Sequence, residues 1–386
     1  MKSLAVSGKC TIFASENNIL ITKLMKRKYL FLLMAAALVM GFAACSEDDD
    51  DKVVSIIDLS TVTADLTLQN GDVVTGRLKE TVRILIAEDA RVTLRDAVIM
   101  SNQINLEHPC AGLTCLGNAT IIVEGKDSVS NFFYGYPGIF VPMNKTLTID
   151  GTGSLWAKSK NNDYGEAAGI GSGSTTFYGA NPGYGGSCGN IVIKGGDITA
   201  EGSGFAAGIG CGANASCGNI TITGGTIHAT GNNAPGIGSV GYRTCGDITI
   251  TGGTVIANSK ASIIKAQEAH YAAGIGSGCA YCGKIVISGG IVEAKGLYDN
   301  DPAIGSGRYG KFESITITSG ITSLTAIGGD GTTIPPIGKS FDDAGSGDVN
   351  IDGKLNPDVS WMGDGMKSLK LTKPDDSKNI WMLERK

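Results

Sequence analysis

The chain has 386 residues, a net charge of −5, and only 6% aromatic but 42% hydrophobic residues. Its 57 glycines are about twice the usual share, and low aromatic content with a full complement of Ile and Val excludes a disordered chain and predicts short strands joined by tight turns. An acidic chain without basic clusters is a poor partner for nucleic-acid phosphates or anionic lipid heads.

Residues 1–24 lack the character of a targeting head and read as an upstream extension, with Met25 as the true start. Met25-Lys26-Arg27-Lys28 is a basic head, and Tyr29 to Phe42 is an apolar stretch too short for a permanent bilayer span. Residues 25–44 therefore read as a signal peptide. The segment Phe42-Ala43-Ala44-Cys45 resembles a bacterial lipobox, which makes Cys45 the expected lipidation site and the lipid the expected contact with the membrane. Residues 45–56 read as an acidic tether. Within it, Ser46-Glu47-Asp48-Asp49-Asp50-Asp51 is a self-repelling block that stays solvated. It resembles the acidic export tract of surface-displayed lipoproteins of one Gram-negative phylum. The expected location is the outer membrane, lipid-anchored and facing the cell exterior. Residues 45–386 carry 26 basic and 36 acidic residues, a net of −10.

Residues 57–340 hold an internal repeat. Strands are predicted at Ala64–Leu68, Val82–Ala87 and Arg91–Val98, as one or two opening coils. The unit then runs A-G-I-G-S-G, a variable loop, and C-G-x-I-T-I-T-G-G-T-I-x-A. Clear copies begin at Gly169, Gly208, Gly236 and Gly274, with weaker ones at Gly112, Gly138, Ala303 and Ala326. The closest starts are 23 residues apart, room for three short strands and too few for a four-stranded propeller blade. Alternation points Ile191 and Ile193, Ile220 and Ile222, Ile248 and Ile250, Ile285 and Ile287, and Ile315 and Ile317 inward. Val192, Thr221, Thr249, Val286 and Thr316 point outward. Paired glycines such as Gly195-Gly196 and Gly224-Gly225 mark a sharp corner. The expected fold is all-β, a right-handed parallel β-helix of roughly eight to ten coils with capped ends. Residues 341–386 break the pattern and read as the C-terminal cap, with Trp361 and Trp381 closing the core.

Cys188, Cys217, Cys245 and Cys282 share one repeat position, where Phe312 stands in the next coil. A straight ladder cannot close a tetrahedron around zinc, so these are expected to be buried free thiols. The pairs Cys110–Cys115 and Cys279–Cys282 are disulfide candidates, and the state of Cys211 is left open.

The fold class hosts pectate lyases and polygalacturonases, so catalysis is a candidate function. The chain has no N-T-D, G-H-G or R-x-K series of the polygalacturonase type. His108, His228 and His270 share no repeat position with a carboxylate, and Glu201, His228 and Glu293 read as scattered surface. No catalytic residue is assigned, and the chain is expected not to be an enzyme. The loops concentrate aromatic residues instead. Tyr134, Tyr136, Tyr164, Phe177, Tyr178, Tyr184, Tyr242, Tyr271 and Tyr298 are candidate carbohydrate-binding residues on one aromatic rim, with Tyr281 and Tyr309 in the same loops. A Tyr offers a sugar both a ring face and a hydroxyl. The alternative is that these rings pack over the Gly-rich corners.

The segments I-A-E-D-A-R-V-T-L-R-D-A, A-G-L-T-C-L-G-N-A-T-I-I-V-E-G and Y-P-G-I-F-V-P, with the tandem G-I-G-S-G units, resemble a family of secreted carbohydrate-binding β-helix domains of the pectate-lyase-like superfold. The likeness spans about residues 57–340. It implies a right-handed β-helix, calcium in some members, and binding of plant acidic polysaccharide in its best-known members. No calcium-ligand cluster is matched, so no cofactor or metal is expected. The expectation is a non-catalytic surface lipoprotein whose partner is a polysaccharide or glycan, together with other surface glycan-uptake proteins and no nucleic acid. Its alternatives are a polysaccharide lyase or glycoside hydrolase, and a structural adhesin or spacer.

Overall fold

A computed structural model describes residues 54–100, 109–160, 166–174, 186–241, 243–260, 272–297, 301–328, 336–339, 347–352, 368–372 and 382–385. Its strands stack into a parallel β-helix. A ten-stranded sheet and a 21-stranded sheet run along it, and every pairing before residue 352 within named strands is parallel. Each repeat contributes one strand to the first sheet and two to the second, as at Ile237–Ser239, Ile248–Ile250 and Thr254–Lys260.

The alternation of apolar and polar residues decides which side faces in. Leu147, Ile191, Ile220, Ile248, Ile285 and Ile315 pair in register as one column, and Ile149, Ile193, Ile222, Ile250, Ile287 and Ile317 as a second. All twelve are at most 0% exposed, while the intervening Val and Thr residues are half-buried. A third column runs Leu155, Ile198, Ile227, Val255, Val292 and Leu324, followed two residues later by alanines at 157, 200, 229, 257, 294 and 326. A single coil has nothing to cover its inner side. Stacking buries each side chain between its copies above and below, at about 1.5–3 kcal/mol per aliphatic side chain.

The corners are built from residues that the strands do not need. Gly196, Gly225, Gly253 and Gly290 turn the chain with φ of 88°, 85°, 83° and 81°. At the preceding corner, Asn190 Oδ1 accepts from Asn219 N at 2.8 Å, Asn219 Oδ1 from Asp247 N at 2.9 Å, and Asp247 Oδ1 from Lys284 N at 2.8 Å. This ladder fills the variable position of C-G-x, which the repeat consensus left without a role. Asn219→Ala leaves the Asp247 amide to water, and is expected to cost about 0.5–1 kcal/mol in equilibrium urea unfolding. An unchanged unfolding free energy would deny the ladder any part in stability.

Two details differ from the repeat read along the sequence. Ala326-Ile327-Gly328 does not open a coil: Ala326 pairs with Ala294 on the third strand. The tenth strand of the short sheet is Ile337–Lys339, where Ile337 and Gly338 pair with Ile304 and Gly305. I-G occurs at both places, and only strand pairing separates them. The closest spacing lies instead at the start, where Ile56 pairs with Val73 and Leu66 with Ile84, offsets of 17 and 18 residues. Those offsets are even less compatible with a four-stranded blade.

At the far end, Ser368–Thr372 pairs antiparallel with Ser323–Ile327, and Met382–Arg385 pairs antiparallel with Ser368–Thr372. Reversing direction ends the parallel stack on that strand and occupies an edge that would otherwise recruit another chain. Trp361 and Trp381 lie outside the described residues, as do Cys45 and everything before Val54. Among the described residues no helix is long and apolar enough to cross a membrane.

Candidate functional site

The third strands of successive coils present two outward columns side by side. One runs Trp156, Thr199, His228, Ile256, Glu293, and the other Lys158, Glu201, Thr230, Asn258, Lys295, each in register from coil to coil. The small alanine between them keeps the backbone tight to the core, so the outward side chains stand on a rigid support. Where these strands end, an open groove of about 510 Å³ is lined by residues that include Lys158, Glu201, Asn258, Lys260, Glu293 and Lys295. Its volume falls within the range of ligand-binding clefts.

At one end of the groove two of its lining residues, Lys158 and Glu201, contact a tryptophan just outside the lining. Trp156 Nε1 donates to Glu201 Oε1 at 3.0 Å, and Glu201 Oε2 lies 3.2 Å from Lys158 Nζ. Lys158 Nζ in turn sits 5.2 Å from the Trp156 ring centroid. The ring is thus fixed at its N–H edge by a carboxylate and beside a cation, a contact worth about 0.5–1 kcal/mol at a partly exposed site. Indole body, carboxylate, ammonium, hydroxyl and amide lie on adjacent coils. Together they supply an apolar face and both hydrogen-bond senses.

Glu201, His228 and Glu293, which read as scattered surface in the sequence, therefore belong to one face, and two of them line one groove. Trp156 and Glu201 are 45 residues apart, and nothing in the linear repeat marks their contact. The signal that was available is the T-I-x-A unit: its x position and the residue after Ala are outward in every copy.

The aromatic candidates fall differently. Tyr164, Phe177, Tyr178, Tyr184, Tyr242, Tyr271 and Tyr298 lie outside the described residues. Tyr134 is half-buried, and its ring lies beside Phe133 with centroids 6.0 Å apart. Tyr136 is 0% exposed, so its ring is part of the packed interior and does not face a sugar at the surface. Its loop is pinned from beneath. Buried Asn131 donates to Phe133 O and accepts from Lys160 N, both at 2.6 Å, and Ser159 Oγ donates to Tyr136 O at 3.1 Å. Here the rings do pack over a corner. Tyr281 and Tyr309 are 42% and 54% exposed, yet they follow the short-sheet strands Ile275–Ser277 and Ile304–Ser306 while Tyr134 and Tyr136 precede Ile139–Phe140. The described aromatics occupy two separate corners, so they do not form a single rim.

The cysteines follow the expected ladder. Cys217 pairs with Cys245, Cys245 with Cys282, and Cys282 with Phe312. All eight cysteines among the described residues are free, including Cys110, Cys115 and Cys279. Burial pushes the Cys110 and Cys115 thiols up to about 12 and Cys279 up to about 11, which leaves them protonated and unreactive at neutral pH. Among the described residues, no three His, Cys, Asp or Glu side chains are placed to hold a metal ion.

The beta helix repeat family matches residues 147–174, 191–213, 220–242, 248–279 and 285–308. Four of the five segments start on the inward residues Ile191, Ile220, Ile248 and Ile285, and the fifth on Leu147, which pairs with Ile191. No curated protein and no solved structure matches the chain. Five sequence repeats of this kind and an in-register parallel stack make the chain an all-β parallel β-helix.

Proposed function

We propose that this chain binds carbohydrate in the groove along its third strands, as a non-catalytic surface lipoprotein anchored through Cys45. The observation that carries the reading is the Trp156–Glu201–Lys158 cluster at the edge of an open polar groove. A sugar ring has an apolar C–H face and a rim of hydroxyls. An indole held by its N–H edge meets the face, and Glu201, Asn258 and the lysines meet the rim. The repeating rungs suit an extended polymer, because the same outward positions recur about every 4.8 Å along the axis.

Binding is favoured over hydrolysis by the spacing of the acids. Glu201 and Glu293 stand three coils apart, about 14 Å along the axis, against roughly 5–9.5 Å between the carboxyl groups of a glycosidase pair. The test is a glycan array followed by calorimetry on the purified protein. Trp156→Ala is expected to weaken the captured glycan about tenfold, close to 1.4 kcal/mol, with an unchanged melting temperature. Full affinity in Trp156→Ala would remove the groove as the site. Release of reducing or unsaturated sugar ends would make the protein an enzyme, and an array without any ligand would favour a spacer. Surface display is tested by protease shaving of intact cells with Ser46–Asp51 replaced by alanine, which is expected to abolish cleavage.

A further inference from the structure

Five thiols crowd one corner of the helix: the ladder Cys188, Cys217, Cys245 and Cys282, joined by Cys211, which stands in the column occupied in neighbouring coils by Ser172 and Ser239. Each is at most 6% exposed. Their S–H groups are not equivalent. Cys188 donates to Gly210 O at 3.3 Å and Cys282 to Gly246 O at 3.8 Å, so both sulfurs are aimed at backbone carbonyls. Cys217 also has a carbonyl within reach, Gly238 O at 3.8 Å, but its nearest partner is Cys245 Sγ at 3.1 Å, across an in-register parallel bridge. Neighbouring strands hold their Cα atoms within the span a disulfide tolerates, and these sulfurs need to close by only about 1 Å to reach bonding distance.

We propose that Cys217 and Cys245 are an oxidisable pair that forms a disulfide between consecutive coils. The oxidant is a second disulfide, R–S–S–R. One thiol loses its proton and attacks a sulfur of the oxidant, expelling R–S⁻ and leaving a mixed disulfide. The other thiol, deprotonated in turn, displaces the second R–S⁻. Two protein thiols are oxidised, one disulfide is reduced to two R–SH, and the two protons pass to the leaving thiolates. Because both sulfurs are buried in the folded coil, the exchange belongs to the folding chain, before the next coil covers them. The bond would tie positions 28 residues apart, and it ties the two coils that place Thr230 and Asn258 in the groove. It does not depend on the carbohydrate reading.

The test starts from the reduced, unfolded full chain. It is refolded with oxidised glutathione, alkylated and digested with trypsin. Cleavage at Lys194, Arg243 and Lys260 leaves Cys245 as the sole cysteine of fragment 244–260, and puts Cys217 with Cys211 in fragment 195–243. The expected product is these two fragments linked, separable by reductant, with the link kept in Cys211→Ser and lost in Cys217→Ser. Should Cys217→Ser fail to fold, fragmentation of the wild-type linked pair tells Cys217 from Cys211. Fragment 244–260 found alkylated and unlinked would overturn the proposal. So would its linkage to the fragment carrying Cys188 or Cys282, or loss of the link in Cys211→Ser.

Discussion

Gly238→Ala is expected to destabilise the protein by about 3–5 kcal/mol. Gly171, Gly210, Gly238, Gly276, Gly305 and Gly338 form a column in the short sheet, with φ between 126° and 137°. A side chain at Gly238 would place its Cβ 1.8 Å from Gly276 O, and Gly276 would meet Gly305 O at 2.0 Å. The obstacle is backbone in the next coil, itself held by the same column, so it cannot swing aside. Forcing an L-residue into this conformation costs about 1–3 kcal/mol, and the steric overlap adds about 1–3 kcal/mol more. Gly71→Ala separates the two terms: φ is 94° there, but nothing lies within 4 Å of the added carbon. That control is expected to lose only about 1–3 kcal/mol. Guanidinium unfolding of both variants measures the difference, and equal losses would mean that the coils do not approach as closely as described.

The second large effect is electrostatic. Asp127 occupies the slot that Leu155 and Ile198 fill in the next coils, and it is 2% exposed. The reason lies in the preceding coil: its corner is made by Asp96 with φ of 55° rather than by paired glycines, and Asp127 Oδ1 accepts from the Ala97 amide of that coil at 2.8 Å. The carboxyl thus satisfies a backbone donor at a bend, while its Oδ2 is buried without a partner. Burial pushes its pKa from 3.8 up to about 6.

The sign follows from linkage. Between pH 4 and 6 the folded state keeps a proton that the unfolded chain releases, so the contribution of Asp127 to stability is largest below the unfolded value. It is lost as pH rises through about 6. The full penalty at neutral pH is about 3 kcal/mol. Asp127→Asn keeps the acceptor for Ala97 and removes the charge. Relative to wild type, it is therefore expected to gain about 2–3 kcal/mol between pH 4 and pH 7. Taking the difference between the two proteins cancels the other carboxylates. Parallel stability curves for the two would show that Asp127 titrates as it does in water.

Several parts of the fold were legible because they depend on a residue's own type and its immediate neighbours. Alternation of Ile and Thr separates inner from outer side within one strand, and Gly224-Gly225 marks a corner wherever it occurs. The Cys ladder was legible for the same reason, since a fixed offset from the inward Ile recurs in each copy. Asp127 was not, because Lys126–Ser130 lacks the T-I-x-A string, and only pairing with Ser154–Lys158 reveals which of its residues points inward. Ala326-Ile327 was assigned to the wrong strand because a three-letter string carries no partner.

The candidate site divides along the same line. Composition and repeat length determined by themselves that successive turns of chain would share one aliphatic interior, since that burial is additive and needs only matching periodicity. Which outward residues meet was decided by the stacking. Trp156 and Glu201 touch because two coils of unequal loop length come into register, and Tyr136 is buried because its loop folds back onto Asn131 and Ser159. Periodicity is a property of residues close in the chain. A binding groove is a property of residues brought together across coils, and the variable loops between them erase any spacing that a linear reading could follow.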